Sequence, residues 1–445
     1  GTSATVNQDG GTYVAYLFAH NDGDGEFGPD SDQDIIKCGS YTGNAGLKEV
    51  DLGFEPQWLM IKKATAATSW MLGDEMRGMR VTANGSFTLY ADLASVEGRN
   101  ATVTPYPVAG GFSMNTTDGN YNTNNETYIY MAIRRGPLAT PTSAAEVFDI
   151  NFVSGLDPVV PSAISVVDMA ILSARTGAGK HYVPSRLHGG YVKTDSTAAE
   201  AGVTSDLWMF DNQNGWGTAG SDLGVNYISY MWKRAPGFCD VVTYTGTGVA
   251  GRTVSHNLGV APEMIWVKNR GRARSWIVYH TATGNTGYLE LDATTALITS
   301  APESRFGNGT VGVSPTASNF TVAVNQDVNY SGDTYIAYLF STLAGISKLG
   351  SYTGNGSSQT INAGFTTGAR YILIKRTDSA GDWYVWDTTR GIVAGNDPHL
   401  SLNTTAAEVT SDDSIDPDSS GFIVNQVAAT NINVSSATYI YYAVA

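Results

Sequence analysis

The sequence predicts an all-β protein made of tandem β-sandwich, jelly-roll-like repeats of about 100 residues each. Three observations favour this fold class. A Tyr-rich run returns about every 100 to 115 residues, the apolar runs are short, and turn-forming Gly-Asn, Asp-Gly and Ser-Gly pairs separate them. Sustained helical periodicity is nearly absent, so a helical fold is disfavoured.

The Tyr-rich run alternates aromatic and aliphatic side chains, which is the period of a strand with two different faces. Its copies begin at Tyr13, Tyr128, Tyr227, Tyr335 and Tyr439. We expect Tyr13, Tyr128, Tyr335 and Tyr439 to pack in cores, since aromatic residues in strands usually contact their neighbours.

Two further markers recur in the same order between the Tyr-rich runs. A Tyr-Thr-Gly sequence begins at Tyr41, Tyr244 and Tyr352, and an apolar strand with a Lys near its end follows at 58–63, 264–269 and 371–376. The stretch 137–236 lacks Tyr-Thr-Gly, although residues 169–175 stand where the Lys-containing strand belongs. This stretch is therefore predicted to be a degenerate copy.

These markers divide the chain into four repeats with a leading segment. The predicted units are the final strands of a preceding repeat plus an acidic connector (1–34), repeat 1 (35–136), the degenerate repeat 2 (137–236), repeat 3 (237–345) and repeat 4 (346–445). Residues 1–19 match only the end of a repeat. We expect either that the chain is a fragment of a longer protein, or that this strand pairs with a later domain or a neighbouring subunit.

The charge balance argues against a nucleic-acid partner. Lys and Arg number 26 against 41 Asp and Glu, giving a formal net charge of −15, whereas binding to a phosphate backbone needs clustered basic residues. No apolar run approaches the roughly 18 residues of a membrane span, so no membrane insertion is expected. Cys38 and Cys239 are too few and too far apart for a disulfide-stapled scaffold, and we expect free thiols.

The acidic connector is the one candidate metal site. Alternating carboxylates in a Gly-rich loop can supply the hard oxygens that Ca²⁺ prefers. The EF-hand pattern fails, because Phe27 and Gln33 stand where Gly and Glu are required. The competing interpretation, a solvated interdomain linker without any cofactor, is the usual one for such a charge run. The candidate ligands are Asp22, Asp24, Glu26, Asp30 and Asp32.

No catalytic motif stands out, so we expect a protein that is not an enzyme. The six His are scattered, no Gly-x-Ser-x-Gly elbow occurs, and residues 177–180 fail the phosphate-loop pattern. A carboxylate pair for glycoside hydrolysis stays open, because sequence alone cannot show the required separation.

Aromatic side chains outside the repeated pattern are the candidates for a ligand-binding surface, since sugars and protein partners both favour Trp and Tyr faces. These candidates are Tyr106, Tyr121, Trp208 and Trp216, and packing in a core is the alternative for each. Arg270, Arg272 and Arg274 crowd one turn of an anionic chain, which suggests an interface with an acidic partner surface.

The junction at 13–21 and 36–44, together with 53–62 and 76–78, resembles the junction between tandem units of an uncharacterised domain family. That family occurs in virion proteins of cyanophages and other marine tailed phages. Similar elements stand at 258–268 and 389–391, and the resemblance is weakest at 137–236.

This resemblance implies a structural or adhesin role on the phage particle, as a tail-fibre, tail-tip or head-decoration component. It implies other virion proteins as partners, assembly as a homo-oligomer and contact with host surface polysaccharide, and it carries over no catalytic residues. A carbohydrate-active enzyme or a lectin is the alternative from a different class.

Overall fold

A computed structural model describes residues 8–20, 34–80, 86–99, 104–136, 139–153, 159–177, 179–202, 208–210, 212–218, 226–299 and 305–445. Across these residues the chain forms 32 β-strands and two short 3₁₀ helices, Ala144–Glu146 and Thr281–Thr283. The strands pair into antiparallel sheets that come in twos, a larger sheet with a smaller one. The all-β, tandem β-sandwich fold class is thereby confirmed.

Repeat 1 combines a six-stranded sheet, in the order β1-β9-β3-β4-β5-β6, with a three-stranded sheet, β2-β8-β7. Its strands are β1 (Ile36–Thr42), β2 (Leu47–Asp51), β3 (Pro56–Lys63), β4 (Met71–Asp74), β5 (Phe87–Tyr90), β6 (Gly98–Arg99), β7 (Tyr106–Val108), β8 (Gly111–Asn115) and β9 (Thr127–Arg134).

Repeat 2 has the same strand order, although it lacks the Tyr-Thr-Gly marker. Its sheets are β10-β17-β12-β13-β14 and β11-β16-β15. The strands are β10 (Phe148–Val153), β11 (Val159–Pro161), β12 (Met169–Ala174), β13 (His181–Pro184), β14 (Tyr191–Lys193), β15 (Trp208–Met209), β16 (Gly215–Thr218) and β17 (Tyr227–Trp232).

Repeats 3 and 4 repeat the plan again, with sheets β18-β24-β20-β21-β22 and β19-β23, then β25-β32-β27-β28-β29 and β26-β31-β30. The strands of repeat 3 are β18 (Cys239–Thr245), β19 (Arg252–Ser255), β20 (Met264–Asn269), β21 (Ile277–His280), β22 (Gly284–Glu290), β23 (Asn319–Val322) and β24 (Thr334–Phe340). Those of repeat 4 are β25 (Ser347–Thr353), β26 (Gln359–Asn362), β27 (Tyr371–Arg376), β28 (Trp383–Asp387), β29 (His399–Ser401), β30 (Ile415–Asp418), β31 (Gly421–Val424) and β32 (Thr438–Val444).

The Tyr-Thr-Gly marker and the Tyr-rich strand form one packing unit. In repeat 3 the Tyr244 ring stacks on Tyr335 at 5.0 Å, and its hydroxyl donates to the Val328 carbonyl at 2.7 Å. Gly246 has no room for a side chain, since a Cβ there would meet the Tyr330 carbonyl oxygen. The stacks of repeats 1 and 4 are Tyr41 on Tyr128 at 5.1 Å and Tyr352 on Tyr439 at 4.8 Å.

The leading Tyr-rich run behaves differently from its copies. Residues 8–20 contain no strand, and Tyr13 is 47% exposed, whereas Tyr335 is fully buried. The expectation that Tyr13 packs in a core is therefore wrong. Within the described segment the run pairs with no strand, so it lacks the ladder hydrogen bonds of its copies.

Candidate assembly interface

Repeat 3 contacts repeat 2 through polar groups at the end of β20 and the start of β21. Lys268 Nζ donates to the Thr197 carbonyl at 2.9 Å, and Arg274 N donates to the same oxygen at 2.8 Å. Trp276 Nε1 donates to the Lys193 carbonyl at 2.7 Å. A buried lysine and a buried indole thus satisfy backbone carbonyls of the neighbouring repeat.

Repeat 4 contacts repeat 3 in the same way. Lys375 Nζ and Gly381 N both donate to the Thr294 carbonyl at 2.9 Å, and Trp383 Nε1 donates to the Glu290 carbonyl at 2.8 Å. Burial lowers the pKa of both Lys268 and Lys375 to about 8. Each lysine is held by carbonyl oxygens instead of a carboxylate, which makes these contacts geometrically specific.

Repeat 2 also contacts repeat 4, so each of repeats 2, 3 and 4 contacts the other two. His181 stands in the place of the tryptophan, with Nε2 2.8 Å from the Thr404 carbonyl, and burial lowers its pKa. Arg175 forms an ion pair with Glu408 at 2.9 Å, and Glu408 N donates to the Arg175 carbonyl at 3.0 Å. The contacts therefore run from repeat 3 to 2, from 4 to 3 and from 2 to 4, and we name this closed arrangement the three-repeat ring.

The Arg–Glu pair of this closing contact also recurs between repeats 3 and 2. Arg270 lies 2.7 Å from Glu200, and Glu200 N donates to the Arg270 carbonyl at 2.9 Å. Burial raises the pKa of Glu200, but Arg270 and His188 outweigh that effect and the net pKa falls to about 2. Glu200 is therefore ionised at neutral pH, held by the charge of Arg270 on one side and by His188 Nδ1 at 2.9 Å on the other, where burial lowers the pKa of the imidazole.

Aromatic side chains from all three repeats meet at the centre of the ring. Phe340 of repeat 3 lies 6.4 Å from Trp232 of repeat 2 and 5.0 Å from Tyr442 of repeat 4, centroid to centroid. Trp232 also donates from Nε1 to the Tyr442 hydroxyl at 3.2 Å. One continuous hydrophobic core spans the three repeats, whereas repeat 1 has its own.

A buried charge cluster joins repeat 1 to the ring, and we name it the junction cluster. Arg234 is fully buried at its centre and donates from Nη1 to Glu55 Oε1 at 2.7 Å. Its Nη2 lies 3.4 Å from Glu75, and its backbone N donates to Asp168 at 2.7 Å. Glu55 and Glu75 belong to repeat 1, Asp168 to repeat 2 and Asp240 to repeat 3. The cluster comprises Glu55, Glu75, Asp168, Arg234 and Asp240.

The four carboxyl groups of the junction cluster have different pKa values. Burial raises all four pKa values. Neighbouring arginines outweigh this effect at Glu55 and at Asp168, Arg234 most strongly, and the net pKa of both groups is lowered. At Glu75 burial dominates and raises the pKa to about 8, and at Asp240 the pKa is also raised. Glu75 is thus mainly protonated at neutral pH, and its hydrogen bond helps to lower the pKa of Glu55.

Cavities flank the junction cluster. One of about 580 Å³ is lined by Glu75, Met76, Asp168 and Arg186, and another of about 800 Å³ by Glu55 and Asp240 among others. Within the described ranges, no group of three or more His, Cys, Asp or Glu side chains is arranged to hold a metal ion. The guanidinium of Arg234 occupies the place between the carboxylates that a cation would take.

The four candidate ligand-binding aromatics lie in the core, which corrects the prediction of an exposed surface. Trp208 is 2% exposed and Trp216 0%, and they stack at 5.8 Å, filling the small core of a repeat that lacks the tyrosine stack. Tyr121 and Tyr106 are each 3% exposed. Tyr106 borders a cavity of about 360 Å³ between repeats 1 and 3, but its ring presents no open face.

The three candidate interface arginines divide between two roles. Arg270 and Arg274 contact Glu200 and Thr197, so the acidic partner of this turn is repeat 2 of the same chain. Arg272 is exposed, pairs with Asp333 at 2.7 Å and lies over the Tyr330 ring at 4.5 Å within repeat 3.

The candidate metal ligands Asp22, Asp24, Glu26, Asp30 and Asp32 fall outside the described residues, so calcium stays a prediction.

Sequence reasoning missed the residues that hold the repeats together. Lys268 and Lys375 stood in a recurring marker, and a lysine that recurs beside apolar strand residues could have indicated a buried contact. Arg234 and its four carboxyl partners carried no such signal, because they come from positions far apart in the sequence.

Comparison with known proteins gives one family. The model of a domain of unknown function (DUF7483) matches residues 1–137 and 234–445. No curated protein matches the chain. In the described part of the chain, no helix is both long and apolar enough to cross a membrane. The gap in the family match falls on repeat 2, which keeps the strand order of its neighbours. On a match covering three of the four repeats and the leading segment, the chain belongs to the DUF7483 family.

Proposed function

We propose that this chain is a non-enzymatic structural protein of a tailed-phage particle, a tail-fibre, tail-tip or head-decoration component that binds host surface glycans. The observation that carries the proposal is the three-repeat ring. Its lysines, indoles and Arg–Glu pairs, which could have served chemistry or ligand binding, are buried in contacts between repeats.

A closed ring suits a structural part. Three sandwiches that share one core resist separation better than sandwiches strung along linkers, because each is held by two neighbours. Only 15% of the residues are charged, so Ser, Thr, Asn and Gly supply much of the polar surface.

The assignment to a phage particle rests on the sequence resemblance at the repeat junctions. On a particle many copies would be displayed together, and weak glycan contacts would then gain avidity of roughly 10² to 10⁴. Other virion proteins are its partners in this proposal, and the particle surface is its location.

One observation favours the alternative, a carbohydrate-active enzyme. Glu75 combines a pKa of about 8 with a place on a cavity of about 580 Å³, as a general acid would. Glu75, however, shares a hydrogen bond with the carboxyl group of Glu55. The two carboxyl groups of glycosidases are about 5 to 9 Å apart, so this pair is too close for either mechanism.

Two experiments test the proposal. Quantitative mass spectrometry of purified phage particles should find the chain as a stoichiometric component. The isolated chain should release no reducing sugar from host polysaccharide. Sugar release that disappears in Glu75→Gln but persists in Glu97→Gln would establish the enzyme instead, and absence of the chain from particles would remove the virion role.

A further inference from the structure

Repeat 1 carries the face with which the other repeats build the ring, but the part of this face around Ile129 is exposed, whereas Met131 is buried and Ile133 borders a cavity shared with repeat 2. Four isoleucines hold the same position in the last strand, where each follows the recurring tyrosine: Ile129, Ile228, Ile336 and Ile440. The last three are 0%, 0% and 2% exposed, whereas Ile129 is 40% exposed. A side chain that the ring buries is therefore in contact with solvent in repeat 1.

The strands show the same difference. In repeat 3 every residue of β20 is buried, because its sheet packs against the smaller sheet on one face and against the ring core on the other. In repeat 1 the burial of β3 alternates along Pro56–Lys63, as expected for a sheet with one covered face. Lys62 and Trp58 lie on the partly exposed side.

The polar groups of the ring contact are also present in repeat 1. Lys62 pairs across the sheet with Ile129 as Lys268 does with Ile336. Trp70 N donates to Asp92 Oδ1 at 3.0 Å, and Trp276 N donates to Asp292 Oδ1 at 2.9 Å. Among the described residues, however, neither the Lys62 nor the Trp70 side chain has a hydrogen bond to another repeat.

A third element of the ring contact is the Asp–Arg pair that ends the fourth strand. In repeat 4, Asp387 and Arg390 are an ion pair with fully buried side chains, and Asp387 accepts a hydrogen bond at 2.9 Å from Tyr230 of repeat 2. Asp74 and Arg77 form the same pair at the same 2.5 Å in repeat 1, with side chains 20% and 26% exposed. This pair is built like its counterpart but is only partly covered, because cavities separate it from Arg186 of repeat 2.

We propose that repeat 1 binds repeat 1 of two further copies of this chain, forming a homotrimer through a second, intermolecular ring. The contact would place Trp70 and Lys62 of one copy against the carbonyls of residues 90–94 of the next. That acceptor segment is available, since Leu93 is 50% exposed and its neighbours are exposed as well.

The number three follows from the contact geometry within the chain. The contact is head-to-tail, with donors on one side of a repeat and the acceptor loop on another, and such contacts close into a ring when the rotation permits. Repeats 2, 3 and 4 are joined by this contact, and the rotation from one repeat to the next closes the ring after three repeats. Repeat 1 carries both halves of the contact, so a second copy of the same repeat complements it.

Sedimentation velocity of the 445-residue chain tests the proposal. We expect a concentration-dependent equilibrium between one species and a species of three times its mass. Ile129→Asp should abolish the larger species, because it places a charge in the centre of the proposed contact. The matched control is Leu47→Asp, which puts the same charge on a side chain of similar exposure, 38%, in the smaller sheet of repeat 1.

A mixture of two variants, each with one cysteine added to the native Cys38 and Cys239, tests the geometry independently, and peptide mapping identifies which cysteines are joined. Thr68→Cys and Ala94→Cys lie where Arg274 and Thr197 lie in the ring, a pair joined by a backbone hydrogen bond of 2.8 Å. The mixture should give an intermolecular disulfide between the two positions, and neither variant alone should give it.

Three results would overturn the trimer. These are a chain that stays monomeric at its highest soluble concentration, an oligomer of another order, and a trimer that survives Ile129→Asp. Circular dichroism and a thermal melt of each variant establish that it is folded before its mass is interpreted.

Discussion

Glu75 is the residue whose protonation links the solution pH to the attachment of repeat 1. Its pKa in the folded chain is about 8, above the ordinary value of 4.5, because the junction cluster buries it. A raised carboxyl pKa stabilises the fold fully below pH 4.5, and this stabilisation is lost as the pH rises through about 8. Attachment of repeat 1 should therefore weaken from mildly acidic to mildly alkaline conditions.

Glu75→Gln should remove the part of this dependence that Glu75 contributes, whereas Asp240, whose pKa burial also raises, keeps its own part. The amide keeps an oxygen for Arg234 but cannot ionise, so the variant should exceed the parent in free energy of unfolding by roughly 1 to 3 kcal/mol at pH 9 and match it at pH 5. Denaturant unfolding at both pH values measures the difference. Glu97→Gln, at an exposed ion pair with Arg77, is the control and should change little. Equal destabilisation by Glu75→Gln at both pH values would contradict this assignment.

At the scale of elements, an indole hydrogen bond is one of the polar contacts that join repeats 3 and 4. Trp383 donates from Nε1 to the Glu290 carbonyl, whereas Trp386 in the same strand has no partner for Nε1 among the described residues. Trp383→Phe and Trp386→Phe remove the same volume from buried sites. Trp383→Phe should cost about 1 to 3 kcal/mol more, because it leaves a buried carbonyl of the neighbouring repeat without a donor.

Thermal unfolding of these two variants beside the parent measures that cost. Equal melting temperatures for Trp383→Phe and Trp386→Phe would show that the indole donor does not support the contact between repeats.

The strands themselves were predictable, but the burial of their second face was not. The runs of β9 and β24 both alternate aromatic and aliphatic residues, and this local pattern predicts a strand in each. Whether another repeat covers the outer face of such a strand depends on contacts between residues far apart in the sequence. Ile129 and Ile336 are therefore indistinguishable in sequence and differ in exposure by 40%.

The prediction of a ligand-binding aromatic surface was wrong for a similar reason. Trp208 and Trp216 stood out in the sequence because no other repeat has them. Both are buried in the smaller sheet of repeat 2, whose larger sheet has Val153 opposite Tyr227 where repeat 3 stacks two tyrosines. A core that loses one large aromatic contact must regain volume elsewhere, since interiors are close-packed. A non-repeated aromatic residue in a degenerate repeat therefore indicates repacking as readily as ligand binding.

At the scale of the whole molecule, the three-repeat ring should unfold as one unit. Phe340 of repeat 3 contacts Trp232 of repeat 2 and Tyr442 of repeat 4, so Phe340→Ala should cost about 3 to 5 kcal/mol and loosen all three repeats together. Hydrogen exchange followed by mass spectrometry should show faster exchange in β17, β24 and β32. Phe112→Ala, in the separate core of repeat 1, should affect repeat 1 alone. Faster exchange confined to repeat 3 in Phe340→Ala would argue against a shared core.

The contact between repeats 2 and 4 distinguishes a closed ring from a linear array most directly, because a row of repeats in chain order would keep these two apart. Glu408 N donates to the Arg175 carbonyl at 3.0 Å, which brings the two backbones close enough for a disulfide. We expect mild oxidation of the double variant Arg175→Cys, Glu408→Cys to give an intrachain disulfide between these positions in the monomeric chain, identified by peptide mapping. Absence of that link, or its formation only between chains, would contradict the three-repeat ring.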